Sequence, residues 1–168
     1  VEETNKYLEK YTEDFIVIKM GGSVLSNKNL FDNLIQDIII LKKLGLSIFL
    51  IHGGGSKISK KLDTLNIKSN FINGLRVTND KVINIVEDVL VEFNKKIVNT
   101  LKKQSCNASE INSKKNNIII VKPENDALGF VGKPIKIKTD TLIEIIKDNS
   151  VPVIASLGLD KNNQTFNI

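Results

Sequence analysis

Two glycine clusters and two cations stand out for the chemistry their types and spacing could support. Gly21-Gly22 and Gly53-Gly54-Gly55 each follow an apolar run and precede a segment with helical spacing, so both fall where a strand gives way to a helix. Glycine lets backbone N–H groups approach an anion closely, and a helix N-terminus adds a favourable dipole. A single glycine pair is read as a tight turn; two clusters on neighbouring strands point to one small anion shared between them. Lys19 interrupts the first apolar run two residues before the glycines. An ammonium beside glycine amides suits phosphoryl transfer, a reaction made largely of positioning and charge neutralisation. The bland alternative is a strand-end lysine extending into solvent. Arg76 follows the Asn73-Gly74 turn in a chain that otherwise uses Lys for its positive charge. A planar guanidinium there can hold a carboxylate in two hydrogen bonds, where a surface ion pair would be the ordinary use.

Several better-known sites are excluded. The chain has no G-x-x-x-x-G-K-[ST], and its triple glycine does not continue as G-x-G-x-x-G. His-Gly-Gly-Gly also occurs in the oxyanion loop of esterases, but the G-x-S-x-G elbow those enzymes need is missing from the sequence. With His52 as the one histidine, neither a His-ligated metal nor a Ser-His pair is supported, and His52 reads as a packed strand-end residue. No metal-ligating set is assigned.

The elements that must position these residues follow from periodicity. Asp14 to Met20 and Leu46 to His52 have the length and β-branched content of buried strands. Between them, Leu30, Leu34, Ile38 and Leu41 repeat at helical spacing and Gly45 supplies a stop. A short helix carrying Ile58, Leu62 and Leu65 follows the triple glycine. Asn73-Gly74 marks a hairpin between about Ser69 and Thr78. Thr78 is then expected to cap a long helix to about Lys103, with Val82, Val86, Val89, Phe93, Ile97 and Leu101 as its apolar stripe. Short strands over Ile118 to Val121 and Phe130 to Ile137 suggest a small antiparallel region. A helix begins at Thr139 or Asp140, a strand spans Val151 to Ala155, and a polar hairpin spans Leu159 to Ile168. Strand, glycines, helix, repeated twice, predicts an α/β protein whose ligands collect at the carboxyl ends of parallel strands.

Composition narrows the partners. The 168 residues are 41% hydrophobic and 26% charged, enough for one sizeable core. No apolar run approaches the roughly 20 residues of a membrane span. The N-terminus carries neither the basic start nor the apolar stretch of a secretory signal, and the lone Cys106 forms no internal disulfide. The chain therefore reads as cytoplasmic, without a membrane partner. A net charge of +5 could suggest nucleic acid, but all except one of the 24 basic residues are Lys and aromatic residues are 5%. Nucleic-acid readers favour Arg for bidentate contacts and aromatics for stacking.

Ile18-Lys19-Met20-Gly21-Gly22-Ser23, Ile51-His52-Gly53-Gly54-Gly55 and Asn73-Gly74-Leu75-Arg76-Val77-Thr78, in this order and spacing, resemble the acetylglutamate kinases of the amino acid kinase family. Weaker similarity continues through Val89-Leu90, Asn94-Lys95-Lys96-Ile97-Val98-Asn99, Leu128-Gly129-Phe130-Val131-Gly132, Pro152-Val153-Ile154-Ala155 and Thr165-Phe166-Asn167-Ile168. The resemblance implies a three-layer αβα sandwich with a mainly parallel central sheet, C-terminally truncated. Residues 1–168 would be the N-terminal, acetylglutamate-binding domain, and the nucleotide-binding half would be absent. ATP, accompanied by Mg²⁺, would phosphorylate the side-chain carboxylate of N-acetyl-L-glutamate in arginine biosynthesis. Lys19 would be the catalytic cation, stabilising the transferring phosphoryl group. Gly21, Gly22 and Gly53 would face phosphate; Gly54, Gly55, Arg76 and Asn167 would hold the substrate. The resemblance further implies a homo-oligomer, a dimer or a hexamer of dimers, with Glu2 to Tyr11 as a remnant of an N-terminal helix.

The departures from that pattern matter too. The family continues past Asn-Ile into an Asn-Ala-Asp segment and a second catalytic lysine, so the 168 residues alone are expected to show little or no kinase turnover. The family's glycine-containing turn is replaced around Ser113 to Asn117, and Ser56 stands where proline is common. Rival readings are the kinase-like, arginine-sensing domain of acetylglutamate synthase, a sibling kinase with another substrate, and a non-catalytic anion-binding domain. Lys19 and the intact triple glycine speak against the first, and Arg76 in its Gly-Leu-Arg-Val-Thr setting against the second.

Overall fold

A computed structural model describes Tyr11 and residues 14–168; apart from Tyr11, the expected N-terminal helix lies outside them. A parallel sheet of order β1-β2-β8-β5 forms the centre, with β1 at Phe15–Met20, β2 at Ser47–His52, β8 at Val151–Ala155 and β5 at Ala108–Ile111. Helices α2 (Lys28–Lys43) and α4 (Asp80–Lys103) pack on one face. There Phe31, Ile35, Ile38 and Ile39 meet Phe93, Ile97 and Leu101 over Met20, Ile48, Leu50, Val151 and Val153. Helix α5 (Thr139–Lys147) lies on the other, its Leu142 and Ile145 against Phe49, Ile51 and Ile154. This is the three-layer αβα arrangement with a parallel centre. A second sheet of order β10-β9-β6-β7 comprises Thr165–Asn167, Leu157–Leu159, Ile119–Pro123 and Gly132–Ile137. Its β6–β7 and β9–β10 pairs are antiparallel, and a single β6–β9 bridge is parallel.

Local chemistry explains where the elements differ from the periodicity. The first glycines open a short helix, α1 (Gly22–Ser26), before α2 starts. The break falls at Asn27, whose side-chain oxygen accepts from Asn29 N and Leu30 N and so caps α2. That start rotates the buried stripe of α2 to Phe31, Ile35, Ile38 and Ile39, leaving Leu30 and Ile40 exposed. In the same way Asn79, not Thr78, caps α4 by accepting from Lys81 N and Val82 N. Thr78 is instead fully buried and turns its hydroxyl back to Arg76 O. The hairpin falls where Asn73-Gly74 predicts, as Phe71–Ile72 (β3) and Leu75–Arg76 (β4), with Asn73 and Gly74 at positive φ. Strand β5 carries too little periodicity to predict; parallel pairing with β8 places it at the sheet edge.

Candidate functional site

Parallel register aligns the two glycine clusters. Met20 pairs with His52 and Lys19 with Ile51, so Gly21 and Gly53 leave neighbouring strands at the same end of the sheet. The clusters are also tied together: Gly53 N donates to Met20 O at 3.4 Å. The Ser56 hydroxyl donates to Gly22 O at 3.3 Å and lies 2.9 Å from that of Ser26. A side chain at Gly22 would press on the Ser56 hydroxyl at 3.2 Å. Ser56, where proline is common in the resembling family, thus joins α1 to α3, which spans Gly55–Thr64.

A cavity of about 210 Å³ opens beside the second cluster, lined by Gly53, Gly54 and Gly55, by Arg76 and Leu75 of the hairpin, by Leu90 of α4, and by Ser156 and Asn167. It therefore unites five of the residues singled out from the sequence, drawn from three separate segments. A Cβ at Gly54 would stand 2.7 Å from the Leu90 methyl, so a side chain there would require Leu90 to shift. Arg76 is 7% exposed, yet every partner of its guanidinium is neutral: Ser69 Oγ at 2.5 Å, Ser59 Oγ at 2.8 Å and Gly55 O at 3.3 Å. Burial disfavours its charge and the field of Asp63 partly offsets this. The Phe71 ring stacks on it, 4.7 Å from the guanidinium carbon to the ring centroid. A buried cation with hydroxyl partners and no carboxylate in contact is arranged to receive an anion. The Asn167 side chain makes no hydrogen bond among the described residues, while its backbone N–H is held by Phe130 O at 3.0 Å.

Lys19, Gly21 and Gly22 do not line this cavity. Lys19 is exposed and takes no ion-pair partner among the described residues. Strand alternation sets it on the side opposite Met20 and His52, the side that carries Val17 and Ile51. The lysine is therefore exposed rather than buried, at the same end of the sheet as the two glycine clusters but on the face away from Met20 and His52. Among the described residues, no three or more His, Cys, Asp or Glu side chains gather to hold a metal ion. Two roomier hollows hold none of the site residues singled out from the sequence: a groove of about 560 Å³ lined by Lys57, Lys60, Lys61 and Lys96 with Glu92, Ser26 and Thr64, and an apolar one of about 450 Å³ over Phe15, Val17, Phe49 and Ile51.

Sequence reasoning missed Ser59, Ser69 and Ser156, which carry no periodic or compositional signal. It gave no role to the buried Asn94, which stands in a segment of weaker resemblance, and missed the buried Asn112. Asn94 had a signal: it interrupts the buried stripe of α4 between Phe93 and Ile97.

The amino acid kinase family model matches residues 14–168. An acetylglutamate kinase of Pelagibacter ubique (strain HTCC1062) is 61% identical over 168 residues, 100% of this chain and 58% of the relative. The acetylglutamate kinase of Dinoroseobacter shibae is 35% identical over 169 residues, with 100% and 59% covered. The chain thus spans 58 to 59% of the length of these curated relatives. Among solved structures, smu.665 from Streptococcus mutans UA159 superposes with TM-score 0.83 at 26% identity, covering 92% of this chain and 63% of that one. An N-acetylglutamate synthase from Neisseria gonorrhoeae, complexed with coenzyme A and N-acetyl-glutamate, gives TM-score 0.85 at 19% identity over 99% of this chain and 39% of its own, a likeness of fold alone.

Proposed function

Because the chain belongs to the amino acid kinase family, we propose that it is the N-acetyl-L-glutamate-binding portion of an acetylglutamate kinase, in which ATP phosphorylates the side-chain carboxylate of that substrate. The observation that carries this reading is the buried Arg76, paired only with hydroxyls and a carbonyl at the wall of a small cavity that also holds Gly54, Gly55 and Asn167. The curated relatives that align over the whole chain bear the acetylglutamate kinase name.

In this reading Arg76 and Asn167 grip the α-carboxylate end of the substrate, and the amides of Gly54 and Gly55 meet the carboxylate that will be phosphorylated. That carboxylate is ionised at neutral pH, so attack requires no general base. Lys19, Gly21 and Gly22 do not line the cavity; in this reading the exposed Lys19 side chain reaches past the end of β1 to the transferring phosphoryl group, beside the amides of Gly21 and Gly22. ATP would supply the phosphoryl group, and Mg²⁺ would neutralise charge on it while drawing few ligands from the protein, since magnesium is commonly held by substrate oxygens. Among the described residues no helix is long and apolar enough to cross a membrane, which accords with a cytoplasmic biosynthetic role; homo-oligomerisation belongs to the same proposal.

Calorimetry tests the reading directly. N-acetyl-L-glutamate is expected to bind, glutamate more weakly and L-arginine not at all, and Arg76→Ala to remove the N-acetyl-L-glutamate signal while the chain stays folded. Binding of L-arginine without N-acetyl-L-glutamate would transfer the chain to the sensing-domain reading.

A further inference from the structure

The triple glycine begins next to a histidine with no access to solvent. His52, the last residue of β2, is 0% exposed, its ring edge-on to Phe93 at 5.4 Å between centroids. Its Nδ1 lies 3.1 Å from Gly53 O and its Nε2 lies 2.9 Å from Asn94 Nδ2. These contacts determine where the ring proton sits. A carbonyl oxygen can only accept, so Gly53 O receives Nδ1–H. Val153 O, 2.8 Å from Asn94 Nδ2, also can only accept, and Asn94 Oδ1 receives Asn112 Nδ2 at 3.2 Å. Asn94 therefore presents its NH₂ to His52, and Nε2 must be the acceptor. One neutral tautomer satisfies the whole cluster.

The consequence falls on the next peptide. The described residues contain no cis bond, so the Gly53 carbonyl and the Gly54 N–H point in opposite directions across one plane. Once the carbonyl is turned inward to the imidazole, the N–H is turned outward. Gly54 is buried and lines the cavity, and its N–H has no acceptor among the described residues. A glycine peptide would otherwise rotate readily, because no Cβ restricts it.

We propose that His52 is a positioning residue which, by holding the Gly53 carbonyl through Nδ1–H, fixes the Gly54 N–H toward a carboxylate oxygen of the ligand in the cavity. The proposal deepens the substrate assignment and rests on it. Asn94 and Asn112 act behind His52: Asn94 selects the tautomer, and Asn112 anchors Asn94 while its own oxygen accepts from the backbone N–H of Lys114 and Lys115.

Two near-isosteric substitutions separate positioning from packing. The amide nitrogen of Asn occupies the place of imidazole Nδ1, whereas the amide of Gln reaches the place of Nε2. His52→Asn keeps a donor for Gly53 O and loses the contact to Asn94; His52→Gln does the reverse. In the full 168-residue chain both should melt lower than the unsubstituted protein. N-acetyl-L-glutamate affinity measured by calorimetry should stay within about threefold for His52→Asn and fall by about tenfold or more for His52→Gln, the loss of one hydrogen bond to a charged group. The Gly53 carbonyl ¹³C resonance should move in His52→Gln and hold in His52→Asn. Equal affinity losses that track melting temperature, or a folded His52→Gln that binds normally, overturn the proposal. If the unsubstituted chain does not bind N-acetyl-L-glutamate, the substrate reading fails, and the Gly53 resonance alone then decides the positioning role: no movement in His52→Gln overturns it. Should His52→Gln not fold, the imidazole ¹⁵N spectrum of the unsubstituted protein serves, since a proton found on Nε2 instead of Nδ1 is incompatible with the proposal.

Discussion

Arg76 shows how one residue can be legible in a sequence while its surroundings are not. As the one arginine among lysines it marked a need for a planar fork, and the structure buries that fork against Ser59, Ser69 and the Phe71 ring. Those partners arrive from α3, the following loop and β3, so nothing in their local sequence announces them. Arg76→Lys keeps the charge but removes the fork, and N-acetyl-L-glutamate binding by calorimetry is expected to weaken at least tenfold. His52 makes a second residue-scale prediction through burial. Desolvation, partly offset by the hydrogen bond to Gly53, pushes its pKa down from 6.5 to about 4. Its ring meets Asn94, the Gly53 carbonyl and Phe93, none of them charged. Because the folded-state pKa is the lower one, the unfolded chain takes up a proton first as pH falls. Stability is therefore intact above about pH 6.5 and is lost progressively down to about pH 4, by an amount on the order of 3 kcal/mol from this group. Urea melts across that window measure it; in His52→Asn the loss between the same pH values should shrink.

At the scale of elements, the apolar periods located the central strands β1, β2 and β8 and the long helix, but side-chain hydrogen bonds set the ends and the faces. Asn27 capped α2 five residues after the second glycine of the first cluster had already started another helix, and the buried stripe rotated with it. Strand β5 escaped notice because Ala108-Ser109-Glu110-Ile111 has no strand-like run of apolar residues, and only its pairing with β8 makes it a strand. The α4 terminus offers a clean test of cap against core. Asn79→Ala removes the acceptor for Lys81 N and Val82 N at an exposed position, and should lower stability by about 1 kcal/mol while leaving ligand affinity unchanged. Thr78→Ala instead deletes a buried hydroxyl bonded to Arg76 O, so it should weaken N-acetyl-L-glutamate binding as well as stability. Parallel chemical-denaturation and calorimetric measurements on the two variants separate these effects; a binding loss in Asn79→Ala equal to that in Thr78→Ala would place the cap, not the hydroxyl, in control of the hairpin.

The whole molecule is asymmetric about its central sheet. The α2/α4 face is sealed by sixteen buried residues, whereas the opposite face is covered over part of its width by α5 and leaves Phe15 55% and Val17 60% exposed. Phe15, Val17, Phe49, Ile51, Ile137 and Ile143 line one apolar hollow there, beside β1, which is an edge of the sheet. The near-continuous apolar run of β1, with its β-branched content, predicts burial on both faces, as a strand inside a parallel sheet requires; among the described residues, helices cover one face and part of the other. An uncovered apolar surface of this kind next to an open strand edge favours association. At high micromolar concentration the chain is therefore expected to self-associate and to enhance the fluorescence of an apolar dye. Val17→Lys places a charge in the lining of the hollow, on the face that already carries Lys19. Because Val17 is mostly exposed, the substitution should change stability by no more than about 0.5 kcal/mol. Sedimentation velocity should then show a shift toward monomer, together with a fall in dye fluorescence. Association that persists unchanged while the dye signal falls would mean that copies meet through another surface, and would remove this face from any account of the oligomer.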